Sequence, residues 1–120
     1  MPSKDIIRIP KDIIIFVATK DNIMVVISRK AIKEFIEKHK TAEDALNNWL
    51  TIMKEADFAN FNEMRIVFNS ADAVGYDLYV FNIKGNHFRL IARIHYNKRT
   101  VYIRFIGTHK QYDKVKLDTL

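Results

Sequence analysis

The chain has 120 residues, 48% of them hydrophobic, no cysteine and a net charge of +6. This length suits one domain that buries about two thirds of its unfolded surface, and the lack of cysteine excludes disulfides and thiolate metal sites, which fits a reducing cytoplasm. The longest apolar run, residues 13–18, is far shorter than the ~20 residues of a membrane span and has no signal-peptide cleavage pattern, so we expect a soluble, cytoplasmic protein.

The first 23 residues differ from the rest of the chain. Residues 13–18 predict a buried strand, and the polar residues after it predict a tight turn into a second β-rich run, residues 23–28. An apolar strand of this composition aggregates unless it is paired and covered. We therefore predict that residues 12–18 add an antiparallel strand beside residues 23–28, as an extension (1–23) of a domain that spans 24–120.

Two amphipathic helices are predicted next. Ser28 is a suitable N-cap for the first, which should end near His39, and Thr41 together with Asp44 is suited to begin the second. Because the link between them is short, we expect an antiparallel helix hairpin. Trp49 lies in the apolar stripe of the second helix, where we expect it to anchor the core.

The remaining sequence predicts a sheet. A weakly ordered stretch, residues 59–76, is followed by three predicted strands (78–83, 87–96 and 100–108) with turns at 84–86 and 97–99, and then by a loop with a short turn or helix (109–117). The predicted fold class is α+β, with the helix hairpin packed on an antiparallel sheet that carries the extra N-terminal strand.

Strand periodicity separates the charges of this sheet, since alternate side chains point to opposite faces. The apolar face should hold Tyr79, Phe81, Ile83, Phe88, Leu90, Ala92, Ile94, Val101, Ile103 and Phe105. The opposite face should then carry Lys84, Arg89, Arg93, Tyr102 and Arg104 together. No Asp or Glu occurs between residues 78 and 112, so this basic face with an aromatic residue suits phosphates and unstacked bases.

Four stretches carry a family resemblance: MVVISRKAIKEF (24–35), VFNSAD (67–72), VFNIKGNHFRLIARI (80–94) and VYIRFIGTHKQYDK (101–114). In them the chain resembles the HigB family of the RelE/ParE toxin superfamily, which belongs to type II toxin-antitoxin systems. It departs from the family's usual residues at Phe58, Asn69 and Gln111. The resemblance implies a RelE-like fold and a ribosome-dependent endoribonuclease that cleaves mRNA and is neutralised by an acidic, HigA-like antitoxin.

Metal-free RNA cleavage requires proton transfer and stabilisation of charge on the phosphate. His109 is the best acid-base candidate, because only histidine titrates unperturbed near neutral pH. Tyr112 should lie on the same side of a helical turn, where it can stack on a base or share the proton transfer. Arg89, Arg104 and Lys84 are expected to hold phosphate oxygens.

Further residues are expected to bind RNA rather than to react with it: Arg93, Asn86, Lys98, Arg99 and Tyr102. Asn86 should serve the turn more than the substrate. We expect no cofactor and no metal, and a metal-dependent nuclease ranks lowest because the basic face has no carboxylate to hold magnesium.

Two other functions stay open at this point. The same fold supports a ParE-like toxin that acts on a topoisomerase, since function lies in the site and not in the fold. The basic charge alone would also allow an RNA-binding module without catalysis. The combination of His109 and Tyr112 with a lysine and several arginines on one face favours RNA cleavage, with mRNA on the ribosome and an antitoxin as partners and no membrane.

Overall fold

The computed structural model of the protein describes residues 13–16, 24–29 and 31–120. These residues form an α+β domain with several helices and one mixed, six-stranded sheet. Its elements are β1 (Ile13–Phe16), β2 (Val25–Arg29), α1 (Ala31–Lys38), α2 (Glu43–Glu55), α3 (Phe61–Val67), β3 (Asp72–Ala73), β4 (Leu78–Ile83), β5 (Phe88–His95), β6 (Thr100–Thr108) and α4 (His109–Tyr112). Within these ranges no helix is long and apolar enough to cross a membrane.

The strands are arranged in the order β1-β2-β6-β5-β4-β3. The prediction of a purely antiparallel sheet was wrong for one pair, because β2 runs parallel to β6, with Val25 opposite Thr100. A parallel pair requires a long crossover, and the helices together with β3, β4 and β5 supply it here. At the edge of the sheet, β1 pairs antiparallel with β2, with Ile13 opposite Arg29. Residue 12 and residues 17–23, which belong to the predicted strand and turn, lie outside the described part of the chain.

The main core lies between the sheet and the helices, on what we call the helix face. Phe88, Leu90, Ala92 and Ile94 of β5 are all buried there, as the alternation of the sequence predicted. Trp49 of α2 is 3% exposed and its ring meets that of Phe81 edge-on at 5.2 Å, which confirms it as a core anchor. The helices therefore cover one side of the sheet.

The starts of the helices differ from the prediction. Ser28 lies within β2, and α1 begins three residues later, at Ala31. Thr41 does not cap α2, because a 3-10 helix, Lys40–Ala42, leads directly into it and the Glu43 amide donates to the Lys40 carbonyl. The unpredicted α3 begins at Asn60, whose side-chain oxygen accepts a hydrogen bond from the Glu63 amide at 3.0 Å.

A β-bulge in β6 changes which side chains share a face. Ile91 pairs with Phe105 and the next residue of β5, Ala92, pairs with Ile103, so Arg104 has no partner in β5. The extra residue reverses the alternation beyond it. The prediction that Phe105 lies on the helix face was wrong for this reason, and Phe105 packs on the opposite side of the sheet.

This opposite side, the outer face, has a small apolar core of its own. Leu78, Val80 and Ile91 are buried there. The side chains packed on them include Phe105, Tyr112 and, from the last residues of the chain, Val115, Leu117 and Leu120. The predicted open basic surface is therefore partly covered by residues 113–120, which we call the C-terminal segment.

Candidate functional site

The predicted turn between β4 and β5 is confirmed and presents Lys84 to solvent. Lys84 and Gly85 both have left-handed backbones, with φ of 54° and 62°. The Nδ1 atom of His87 lies 2.9 Å from the carbonyl oxygen of Lys84, which closes the turn. Lys84 is exposed, so its ammonium is available to a ligand.

Arg89 lies just after this turn and is only 9% exposed, although it is charged. Its Nη1 donates to the carbonyl oxygens of Asn86, at 3.1 Å, and Phe88, at 3.2 Å, and its Nη2 donates to the Asn86 side-chain oxygen at 3.3 Å. Its guanidinium carbon lies 6.0 Å from the centre of the Tyr112 ring, a cation-π distance. Arg89 is therefore held in one orientation by its own turn and by α4, and Asn86 serves this purpose.

The short helix α4 carries His109 and is fixed by a capping box. The Thr108 hydroxyl accepts from the Gln111 amide at 3.2 Å, and the Gln111 side chain accepts from the Thr108 amide at 2.8 Å. His109 is exposed, and its Nδ1 lies 3.4 Å from a carboxylate oxygen of Asp113. The other ring nitrogen, Nε2, makes no hydrogen bond with the described residues.

Gly107 allows α4 to approach the sheet, and the sequence analysis did not single it out. A Cβ atom at this position would lie 2.5 Å from Phe105 Cζ and 2.8 Å from Gln111 Oε1. Gly107 also pairs with Arg89 across the sheet. A larger residue fits here only if the Phe105 ring and the Gln111 side chain shift.

These contacts bring part of the predicted site together at one end of the sheet. Because Thr108 pairs with Phe88, α4 begins beside the turn between β4 and β5. We call the resulting group the hairpin-end cluster; it consists of Lys84, Asn86, Arg89, His109 and Tyr112. It places an exposed imidazole, a buried guanidinium and an aromatic ring beside the turn that carries Lys84, whose side chain lines a cavity with Trp49 and Ser70. Within residues 13–16, 24–29 and 31–120, no three His, Asp or Glu side chains are placed to hold a metal ion together.

Arg104, which the sequence analysis placed with the catalytic residues, is not in this cluster. It precedes Gly107, the residue opposite Arg89, by three positions, or about 10 Å along the strand. Its Nε donates instead to the main-chain oxygen of Leu120 at 3.1 Å. Arg93 Nη1 donates to the same oxygen at 3.1 Å, and Arg93 Nε donates to the Tyr76 carbonyl at 3.2 Å.

The arginine pair, Arg93 and Arg104, lines a shallow cavity of about 260 Å³. Tyr102, a predicted RNA-binding residue, lines it too, and so does His95. The Tyr102 and His95 rings meet edge-on at 5.8 Å. The pairing of Arg93 with Tyr102 across the strands accounts for this neighbourhood.

The two remaining predicted residues, Lys98 and Arg99, lie at the other end of β5. That end is about 20 Å from Arg89, given the rise of a strand. Arg99 forms an ion pair with Asp57 and also donates to the Tyr96 carbonyl, so it is engaged within the protein.

Burial, and then a hydrogen bond to Tyr79, raise the pKa of Tyr96 well above its usual range, so this phenol stays neutral and packs.

Comparison with known proteins places this geometry in context. Residues 42–115 match the family model of HigB_toxin, described as the RelE-like toxic component of a toxin-antitoxin system. The mRNA interferase toxin HigB of Escherichia coli K12 is 40% identical over 95 residues, which cover 75% of this chain and 88% of that protein. The mRNA interferase HigB of Escherichia coli O6:H1 is 32% identical over 94 residues, which cover 77% of this chain and 91% of the relative.

Proposed function

Because this chain belongs to the HigB family of RelE-like toxins, we propose that it is an endoribonuclease that cleaves mRNA and so inhibits translation. The observation that carries the proposal is the hairpin-end cluster, in which Arg89 is buried and oriented beside the helix that presents His109. The names of the relatives, mRNA interferases, support the substrate. Family membership also supports a RelE-like arrangement of helices and sheet for the domain from residue 24 onward.

The chemistry proposed is transfer of the phosphate from the 5′-oxygen to the ribose 2′-oxygen. His109 Nε2 accepts the proton of the 2′-hydroxyl as that oxygen attacks phosphorus and the bond to the 5′-oxygen breaks. A water molecule donates a proton to the departing 5′-oxygen, and the protonated His109 returns its proton to the resulting hydroxide. The products are a 2′,3′-cyclic phosphate and a 5′-hydroxyl. These steps need proton transfer and charge stabilisation from side chains, and we propose that they run without a metal ion.

Arg89 and Lys84 stabilise the charge that develops on the phosphate. Arg89 loses little freedom when it binds, because its bonds to the turn and the Tyr112 ring already fix its plane, and such preorganised donors are the effective ones. Lys84 adds a mobile positive charge. Tyr112 is proposed to hold Arg89 through its ring and to limit the position of the base.

The RNA strand is proposed to run along the outer face, over Arg93 and Tyr102 toward Lys98. This path extends beyond the hairpin-end cluster. It therefore suits an mRNA strand that the ribosome presents in an extended form. The proposed partners are therefore mRNA on the ribosome and a HigA-like antitoxin that masks the same basic residues or blocks their access to the ribosome.

The test is induced expression with mapping of transcript 5′ ends, comparing the wild type with His109→Ala. We expect cleaved transcripts with 5′-hydroxyl ends, and a loss of about 10²-fold to 10⁴-fold in the variant. Lys110→Ala is the matched control, since it alters the next exposed residue of α4 and should keep activity.

Two outcomes would contradict the proposal. Growth arrest with intact transcripts would favour a toxin that acts on a topoisomerase. Fragments with 5′-phosphate ends would contradict the cyclisation chemistry and the role of His109.

A further inference from the structure

The most unusual contact on the outer face is the convergence of two arginines on one oxygen atom. The main-chain oxygen of Leu120 accepts hydrogen bonds from Arg93 Nη1 and Arg104 Nε, both at 3.1 Å. These two residues sit on neighbouring strands, and the bulge leaves Arg104 without a partner in β5. Guanidinium groups that meet in this way match the oxygens of a phosphate or carboxylate.

The segment that supplies this oxygen lies against the sheet and is not one of its strands. Val115, Leu117 and Leu120 pack on the outer-face core but remain only partly buried. A 3-10 turn, Leu117–Thr119, is the one regular element of the C-terminal segment. Its internal bonds, such as that from the Leu120 amide to the Leu117 carbonyl at 3.1 Å, can persist when the segment leaves the sheet.

From this arrangement we infer that Arg93 and Arg104 form a phosphate-binding site, separate from the hairpin-end cluster, and that the C-terminal segment occupies it in the absence of RNA. The inference rests on the proposed function in its choice of ligand, an RNA phosphate. Arg93 follows Arg89 by four residues, about 13 Å along the strand. The site therefore holds a phosphate other than the one bound by Arg89.

The segment acts as an internal competitor for this site. A phosphate offers two charged oxygens to the two guanidinium groups, whereas both groups now bond to one oxygen of Leu120, so the phosphate is favoured once it is present. RNA must nevertheless displace Leu120, which lowers its apparent affinity by the fraction of molecules in which the site is open. The Tyr102 ring and His95 lie in the same cavity, where they can contact the adjoining nucleotide.

Binding of a short single-stranded RNA, 2′-O-methylated throughout so that it is not cleaved, tests the inference. Its affinity is measured by fluorescence anisotropy for the full chain and for a variant that lacks residues 118–120. We expect the truncated variant to bind about threefold to tenfold more tightly, because the competing oxygen is gone. Asp118→Asn in the full chain is the control for the lost negative charge and should change affinity by less than about twofold, since Asp118 is exposed.

The same truncation in an Arg93→Ala, Arg104→Ala background decides whether the arginines are responsible. We expect no gain there, because the two changes act on one contact and are not additive. An equal gain in both backgrounds, or no gain in either, would overturn the inference.

If the truncated chain does not fold, Leu117→Ala loosens the segment while keeping Leu120, and we then expect a gain of about twofold in affinity. Unchanged or weaker binding by Leu117→Ala would equally overturn it.

Failure of this inference is distinguishable from failure of the proposed function. The binding measurement uses RNA that cannot be cleaved, and the cleavage assay uses transcripts with natural 2′-hydroxyls. A competing segment without transcript cleavage would refute only the ribonuclease proposal, and cleavage without competition would refute only the inference.

Discussion

Arg89 and Arg93 lie on the same face of the same strand, yet they are held in different ways. Arg89 is buried and bonds to Asn86 and Phe88, its near neighbours in the chain. Arg93 bonds to Tyr76 and Leu120, which are distant in sequence. A contact with a neighbour in the same turn lasts as long as the turn, whereas a contact with a remote segment opens whenever that segment moves.

This difference suits two different tasks. Stabilising a developing charge requires a donor that does not reorganise during the reaction, and Arg89 meets that requirement. A site that binds and releases RNA instead requires exchangeable partners, and the arginine pair has them. Under the proposed function, we therefore expect Arg89 to act in the chemical step and Arg93 to contribute to affinity.

We expect the largest effect on cleavage from mutations of Arg89 and Arg93 that separate these two roles. Arg89→Ala should lower the cleavage rate at saturating RNA by about 10²-fold to 10³-fold, as loss of a preorganised donor does. Arg93→Ala should raise KM and leave the rate at saturation nearly unchanged. Single-turnover cleavage at increasing RNA concentration measures both quantities.

Arg89→Lys sharpens the test, since it keeps the charge and loses the planar fork that bonds to the turn. We expect it to remain close to Arg89→Ala in rate. A lysine variant with nearly full activity would show that only the charge matters, and the assignment of an oriented guanidinium would be wrong.

A smaller effect is expected at Gly107, which lets α4 approach Arg89. Gly107→Ala places a methyl group against Phe105 and Gln111, and overpacking of this kind costs about 1–3 kcal/mol in the free energy of unfolding. The strain falls on α4, so cleavage should decline together with the melting temperature. Denaturant unfolding and cleavage of the same preparation measure the two.

Gly85→Ala is the matched control for Gly107→Ala. Its position is left-handed, with a φ of 62°, and nothing lies within 4 Å of the added Cβ. The backbone cost is about 1–2 kcal/mol, without a clash against α4. If the two variants lose the same activity at equal stability, the close approach at Gly107 is not what positions His109.

The smallest effect on cleavage is expected at the far edge of the sheet. Removing residues 1–23 takes away β1, which β2 and β6 separate from β5. Cleavage by soluble protein should be unchanged, but the exposed edge of β2 should promote aggregation. Light scattering of a chain that begins at Met24 checks this, and unchanged solubility and melting would mean that the extension is dispensable.

The parts of this molecule that follow from local sequence were predictable. The alternation of β5 placed Arg89 and Arg93 on one face, and Lys84, Gly85 and Asn86 indicated the turn that now holds Arg89. The grouping of His109 with the basic strands could be anticipated because α4 directly follows β6. These features depend on neighbours a few residues away.

The features that were missed depend on contacts between distant residues. Arg104 is the bulged residue because the register between β5 and β6 shifts between Ile91 and Ala92. The alternation of residues within β6 does not indicate this shift. The sequence of the C-terminal segment is too irregular to predict a helix or a strand. Its three apolar residues nevertheless pack on Leu78, Val80 and Ile91. Arg104 lies beside Arg93 and Tyr102, as predicted, but its bond to Leu120 was not predicted.

The parallel pairing of β2 with β6 governs the order in which the chain can assemble. β6 lies between β2 and β5, so the two halves of the sheet are joined only by a strand made late in synthesis. Non-local pairing of this kind slows folding, and domains complete their folding as units after their last strands emerge. A nascent chain that has not yet released β6 has neither a continuous sheet nor α4 beside Arg89. Assembly of the cluster therefore waits until both β6 and α4 have been synthesised.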